Sequence, residues 1–197
     1  VNFKTNLCTC SSCAKHGRVD TSQFMGLEVK TVFVFEEFME MVTHPKYGYG
    51  ANMNPCLDCR IFMLRKAKEM MRSEGAAFVI TGEVLGQRPM SQMIHQIKIA
   101  ERDSGMEGLV VRPLTALNLP PSKPETDGWI DRNKLYGIKG RSRKDQIKLA
   151  LEKGITEFPT PAGGCLLTDR FFSMRLRDLL KRKPKPGLAD MELLKTG

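Results

Sequence analysis

The chain has 197 residues, 41% of them hydrophobic, enough for a core of ordinary size in one domain with at most a small appendage. Lys and Arg number 31 against 22 Asp and Glu, and the net charge of +9 favours a polyanionic partner such as RNA over a neutral metabolite, although a plain soluble basic protein fits it equally well. No apolar run reaches the roughly 18 residues that cross a bilayer and no signal peptide opens the chain, so the expectation is a cytoplasmic protein that meets no membrane.

Val1 to Leu7 reads as a strand already under way. Cys8, Cys10 and Cys13, with His16 three residues on, offer four donors in a tight run; a Zn²⁺ knuckle and unligated loop cysteines both fit that spacing. Leu27 to Phe35 alternates and then runs apolar, which predicts a strand, and Glu36 and Glu37 open a short helix through Val42. Thr43 to Pro55 is rich in Gly, Pro, Asn and Tyr, a loop that delivers Cys56 to a helix start. On that helix Ile61, Leu64, Ala67, Met70 and Met71 mark one face and Gly75 ends it; the methionines read as core packing.

Ala76 to Thr81 predicts a strand buried on both faces, ending at Gly82. Glu83 to Gln87 is a turn, after which Pro89 suits the first turn of a helix carrying Met93, Ile94 and Ile97 on one side. Gly108 to Arg112 predicts another strand. Leu114 to Asp127 reads as irregular, Asp131 to Tyr136 and Asp145 to Lys153 as helices, and Phe171 to Lys181 as a third. This alternation predicts an α/β fold with a parallel sheet, whose ligands bind beyond the carboxyl ends of the strands, and so places Thr81 to Gln87 in the ligand crevice.

Six cysteines in close-spaced groups point to metal or thiol chemistry more than to structural disulfides. The pair Cys56 and Cys59, in Asn54-Pro55-Cys56-Leu57-Asp58-Cys59-Arg60, has the two-residue spacing that lets both sulfurs face one point. Cys165, beside Gly163 and Gly164, is the third of the set. Three ligands leave a coordination position open for chemistry, whereas a structural zinc site closes all four.

His44 and His95 are isolated and read as surface or packing residues. Arg141, Arg143, Lys144 and Lys148, with Arg175, Arg177, Lys181, Arg182 and Lys183, suit a phosphate backbone, or equally a solvated face. Lys183-Pro184-Lys185-Pro186-Gly187 is a linker, and Asp190 to Lys195 reads as the opening of another element. The abrupt start and end suggest a piece of a longer protein.

The stretch Thr81-Gly82-Glu83-Val84-Leu85-Gly86-Gln87, preceded by Arg60 to Ala67 and followed by Ser91-Gln92, resembles the matching part of the 4-thiouridine synthetases. Those are ATP pyrophosphatases of the PP-loop class, with a Rossmann-like fold, that thiolate tRNA. Arg112-Pro113-Leu114 stands where that family has a similar triplet. The nearest resemblance is to a tRNA thiouridylate transferase-like branch, which shares Asn54 to Arg60, Gly82 to Gln92, Gly140-Arg141-Ser142-Arg143 and Gly163 to Asp169. It covers roughly residues 27 to 180, and the combination is far more specific than any one motif. No Ser-Gly-Gly-x-Asp-Ser phosphate loop occurs here, and the resemblance implies that it lies upstream of Val1.

The resemblance therefore implies an α/β, Rossmann-like parallel sheet with flanking helices, of the adenine nucleotide alpha hydrolase-like kind and incomplete at the N-terminus. Residues 1–182 are taken as the sulfurtransferase domain, 183–189 as the linker and 190–197 as the start of an RNA-binding module of the NFACT type. It implies ATP-dependent thiolation of a tRNA uridine: adenylation turns the carbonyl oxygen into a leaving group, and a sulfur nucleophile displaces AMP. Gly82, Glu83, Gly86 and Gln87 are the nucleotide-loop candidates, Glu83 for Mg²⁺ and the amides near Gly82 and Gly86 for phosphate; an ordinary turn is the plain alternative.

Cys56, Cys59 and Cys165 are the catalytic candidates, either ligating a [4Fe-4S] cluster with one open iron or carrying and resolving a persulfide. Structural zinc and inert thiols remain as lesser readings. Sulfide or a carrier protein is the sulfur donor, and whether the protein forms a homodimer stays open. Thiolation or desulfuration of a small molecule is the rival within the superfamily, and a non-catalytic zinc- and RNA-binding protein the rival outside it.

Overall fold

The computed structural model describes residues 1–5, 7, 28–156 and 165–196. In chain order the elements are β1 (Asn2–Lys4), β2 (Thr31–Phe33), α1 (Phe35–Thr43), α2 (Cys56–Ser73), β3 (Val79–Ile80), α3 (Ile94–Ser104), β4 (Val110–Val111), α4 (Lys123–Thr126), α5 (Lys144–Glu152), α6 (Arg170–Arg182) and α7 (Leu188–Thr196). They fall into two compact units, Val1–Pro55 with Ile155–Gly197, and Cys56–Gly154. Among the described residues each unit holds one two-stranded parallel sheet, β1 with β2 and β3 with β4. Parallel pairing across helical connections is the α/β class that the alternation predicts.

In the unit Cys56–Gly154, α2 and α3 both end in a left-handed glycine, the conformation that lets a helix stop without leaving its last carbonyls bare. Gly75 has φ +64° and Gly105 φ +65°. The next amide then reaches back in each case, Ala76 N–H to Met71 O and Met106 N–H to Glu101 O, both at 2.8 Å. These returns aim the chain into β3 and towards β4. Ile61 and Leu64 of α2, Ala100 of α3, Met106 and Val110 form the core. Each large side chain buried there contributes about 1.5–3 kcal/mol. The register is Val79 opposite Val110 and Ile80 opposite Val111.

Four sequence expectations need correcting in this unit. The strand within Ala76 to Thr81 is not buried on both faces: Ile80 is 61% exposed, because β3 pairs only with β4 among the described residues. The helix expected from Pro89 begins at Ile94, with Met93 as its cap residue. Gln92 O accepts from Gly86 N–H at 2.7 Å, so that carbonyl closes the preceding loop and starts no helix. Asp131 to Tyr136 forms only a 3-10 turn over Arg132–Lys134. Its continuation is extended, since Tyr136 N–H donates to Pro113 O and Ile138 N–H to Leu114 O. The supposedly irregular Leu114 to Asp127 contains a 3-10 turn, Ala116–Asn118, and α4, which Ser122 and Glu125 cap reciprocally.

In the other unit, β1 and β2 pair Asn2 to Thr31 through Lys4 to Phe33. The strand predicted over Leu27 to Phe35 is thus three residues long where it is described. The α1 helix buries Phe38, Met39 and Val42. Asp169 caps α6 by accepting from Phe172 N–H at 2.7 Å, which leaves Phe172 and Leu176 facing inward. On α7, Met191 is fully buried, and Arg175 of α6 donates to Leu194 O at 2.9 Å.

Candidate thiol site and ligand crevice

Cys56 is the first residue of α2 and Cys59 lies one turn further on. Residues three apart share a helix face, so the fold presents both half-buried thiols on one side of the helix head. The Cys56 thiol donates to Ser91 Oγ at 3.4 Å, which links the helix head to the turn before α3. Cys165 belongs to the other unit, where it opens the 3-10 turn Leu166–Thr168. Its carbonyl accepts from Thr168 N–H at 2.9 Å and from Thr168 Oγ at 2.6 Å. Leu167 anchors that turn, with Met53 N–H donating to its carbonyl at 3.1 Å and Ser173 Oγ at 3.0 Å. Cys8, Cys10, Cys13 and His16 lie outside the described residues.

Two thiols on one turn at a helix head, Cys56 and Cys59, are a donor pair of the kind that iron or zinc takes, while among the described residues no three His, Cys, Asp or Glu side chains gather into a metal site. Glu83 is differently disposed. Its Oε2 takes Arg112 Nε at 2.9 Å, Arg60 Nη2 at 2.5 Å and the Thr81 hydroxyl at 3.3 Å. Arg112 Nη1 also donates to Glu101 of α3. Glu83 thus balances two guanidiniums through Oε2. Gly86, at φ +78°, spends its amide on Gln92 O, while Gly82 is exposed and an added side chain there would touch nothing within 4 Å. Gln87 N–H donates to Val84 O at 3.1 Å. The loop is a tight turn pinned by an internal ion cluster, with Gly82 as its open point.

Of the basic candidates, Arg141 and Lys144 are exposed and Arg143 is half-buried, all just before or at the start of α5. Arg175 and Arg177 have structural tasks: Arg175 on Leu194 O, and Arg177 donating to Asn52 O at 3.2 Å. Lys181 is exposed on α6. A cavity of about 200 Å³ lies among Ile97, Glu101, Val110, Arg112, Leu119 and Glu125. Sequence reasoning missed Arg60, Glu101 and Ser91 as site residues, although Arg60 and Ser91 stand in the stretches that carry the resemblance; the signal for the buried pair was a charge, Arg112, directly after the apolar run Leu109-Val110-Val111.

The protein-family model described as "Thiamine biosynthesis protein (ThiI)" matches residues 13–119, more than half of the chain. The chain belongs to this family. Membership in the ThiI family carries the adenine nucleotide alpha hydrolase-like fold class, and the ThiI match takes in Cys13, His16, Cys56, Cys59, the crevice loop and Arg112. Cys165 and the basic residues from Arg141 onward lie beyond it. No curated protein and no solved structure matches. Among the described residues, no helix is long and apolar enough to cross a membrane.

Proposed function

We propose that this ThiI-family chain takes part in ATP-dependent thiolation of a tRNA uridine, with Cys56, Cys59 and Cys165 as its sulfur site. Family membership is the observation that carries the reading, and the helix-head thiol pair supports it. Adenylation of the uridine carbonyl oxygen forms a C–O–P linkage with loss of pyrophosphate. A sulfur nucleophile then attacks the carbon, and the C–O bond breaks to release AMP.

A [4Fe-4S] cluster held by the three cysteines would supply a deprotonated hydrosulfide at its open iron. The protein's own part is to hold Cys56 and Cys59 on one helix turn, to set Ser91 against the Cys56 thiol, and to keep the loop at Gly82 open. The Cys-only alternative uses the same residues: a persulfide on one thiol, loaded by exchange with a persulfide-bearing donor, attacks the adenylated carbon through its outer sulfur as AMP leaves. A second thiol then attacks the inner sulfur, releasing the thiouridine and closing a disulfide that an external thiol reduces.

The family's description as a thiamine biosynthesis protein favours a second reading, sulfur transfer to a small-molecule acceptor by the same thiols. Nucleoside analysis of tRNA incubated with ATP, the protein and either sulfide or a persulfide donor tests the first reading. Thiouridine that depends on ATP and disappears with Cys165→Ala is the expected result. Thiolation unchanged by Cys165→Ala sinks the sulfur site, and none with ATP and either sulfur donor moves the reading to the small acceptor.

A further inference from the structure

The segment after the Arg132–Lys134 turn runs alongside the crevice loop. Gly140 N–H donates to Leu85 O at 2.8 Å, and Lys139 bridges Leu85 in parallel register. The seam closes on two glycines: a Cβ added to Gly86 would lie 3.4 Å from Gly140 N. Lys139, Gly140 and Arg141 therefore form one edge of the Thr81 to Gln87 loop. Both cationic residues are exposed, one on either side of Gly140, and among the described residues neither has a partner.

Three amides of the seam are already used. Gly86 N–H is spent on Gln92 O, Gln87 N–H on Val84 O and Gly140 N–H on Leu85 O. At the two glycines, recognition of a ligand therefore falls to the flanking side chains and not to a backbone nest. The sign of that ligand's charge follows from the same neighbourhood. Glu83, the loop's sole carboxylate, is balanced by Arg60 and Arg112, and Glu101 takes a second donor of Arg112. Adding Lys139 and Arg141 leaves a positive excess that an anion satisfies. A guanidinium fork beside an ammonium point charge suits phosphate oxygens.

We infer that Lys139 and Arg141 form a phosphate subsite on the edge of the Thr81 to Gln87 loop. The inference deepens the thiolation reading and rests on it for the source of the phosphate, the nucleotide or the RNA backbone. The test is titration of the full chain with ATP and, separately, with an unmodified tRNA transcript, for wild type, Lys139→Ala/Arg141→Ala and Lys139→Glu/Arg141→Glu.

The alanine pair weakens the ligand that uses the subsite about tenfold or more, and the glutamate pair weakens it further. A fall for ATP alone identifies the nucleotide. A fall for tRNA, with the slope of log affinity against log salt shallower by roughly 1.5, identifies the RNA backbone. Affinities for both within twofold of wild type, with an unchanged circular dichroism spectrum, overturn the inference, as does a wild-type chain that binds neither ligand at low salt. Binding is read without turnover, so a subsite confirmed in a chain that never thiolates tRNA would sink the activity and spare the subsite.

Discussion

Arg112 Nε donates to Glu83 Oε2 at 2.9 Å with the two side chains only 3% and 6% exposed, and this pair ties the end of β4 to the loop after β3. Removing one partner of a buried ion pair strands the other in a low-dielectric site, at about 3–5 kcal/mol. Glu83→Gln should fall at the lower end, about 3 kcal/mol, because Glu101 still faces Arg112. Urea unfolding checks it: a loss under ~1 kcal/mol would show that Glu83 is not the counterion of this cluster.

Two glycines of one loop should respond unequally. Gly86→Ala places a side chain at φ +78° and 3.4 Å from Gly140 N, so a loss of about 1–2 kcal/mol is expected. Gly82→Ala meets nothing within 4 Å and has no left-handed backbone, so its stability should stay within ~0.5 kcal/mol of wild type. Thermal melts of the two variants decide it, and equal losses would contradict the seam.

Glu125 gives a pH dependence. Burial pushes its carboxyl up, but hydrogen bonds from the Ser122 hydroxyl and amide and from Arg132 outweigh that and hold it below the ordinary carboxylate range. A depressed folded value stabilises the protein above the unfolded carboxylate's ~4.3, and that contribution is lost as pH falls through the folded value. Wild type should therefore lose stability below about pH 4 more steeply than Glu125→Gln. Parallel denaturation midpoints for the two proteins between pH 6 and 3 would count against this carboxylate.

Asp169 stands between Cys165 and α6. Its side chain accepts from Phe172 N–H at 2.7 Å, while its amide donates to Leu166 O. Asp169→Ala should cost about 1 kcal/mol, and Asp169→Asn or Ser should recover most of it. Guanidinium titration of the three variants measures this; an alanine variant as stable as wild type would remove the cap from the account of how Cys165 is held.

Local chemistry made much of the fold legible. Pro55 before Cys56, the apolar positions from Ile61 to Met71, and Gly75 define α2 through backbone preferences and period alone, and the structure keeps them. The helices over Lys144–Glu152 and Arg170–Arg182 follow in the same way. The prediction from Pro89 failed because a backbone bond from Gly86 to Gln92 outweighs a helix-start preference, and Asp131 to Tyr136 failed because pairing with Pro113 and Leu114 outweighs propensity.

By itself, then, the sequence determined the family through its combination of motifs, and the α/β alternation and the helix-head pair Cys56 and Cys59 because caps, periods and short spacings act over a few residues. Only the tertiary structure decided that Glu83 faces Arg60 and Arg112, and that Lys139 lies beside Leu85. Those relationships join residues far apart in the chain, through burial that gathers charges into one low-dielectric cluster and strand pairing that sets one loop against another.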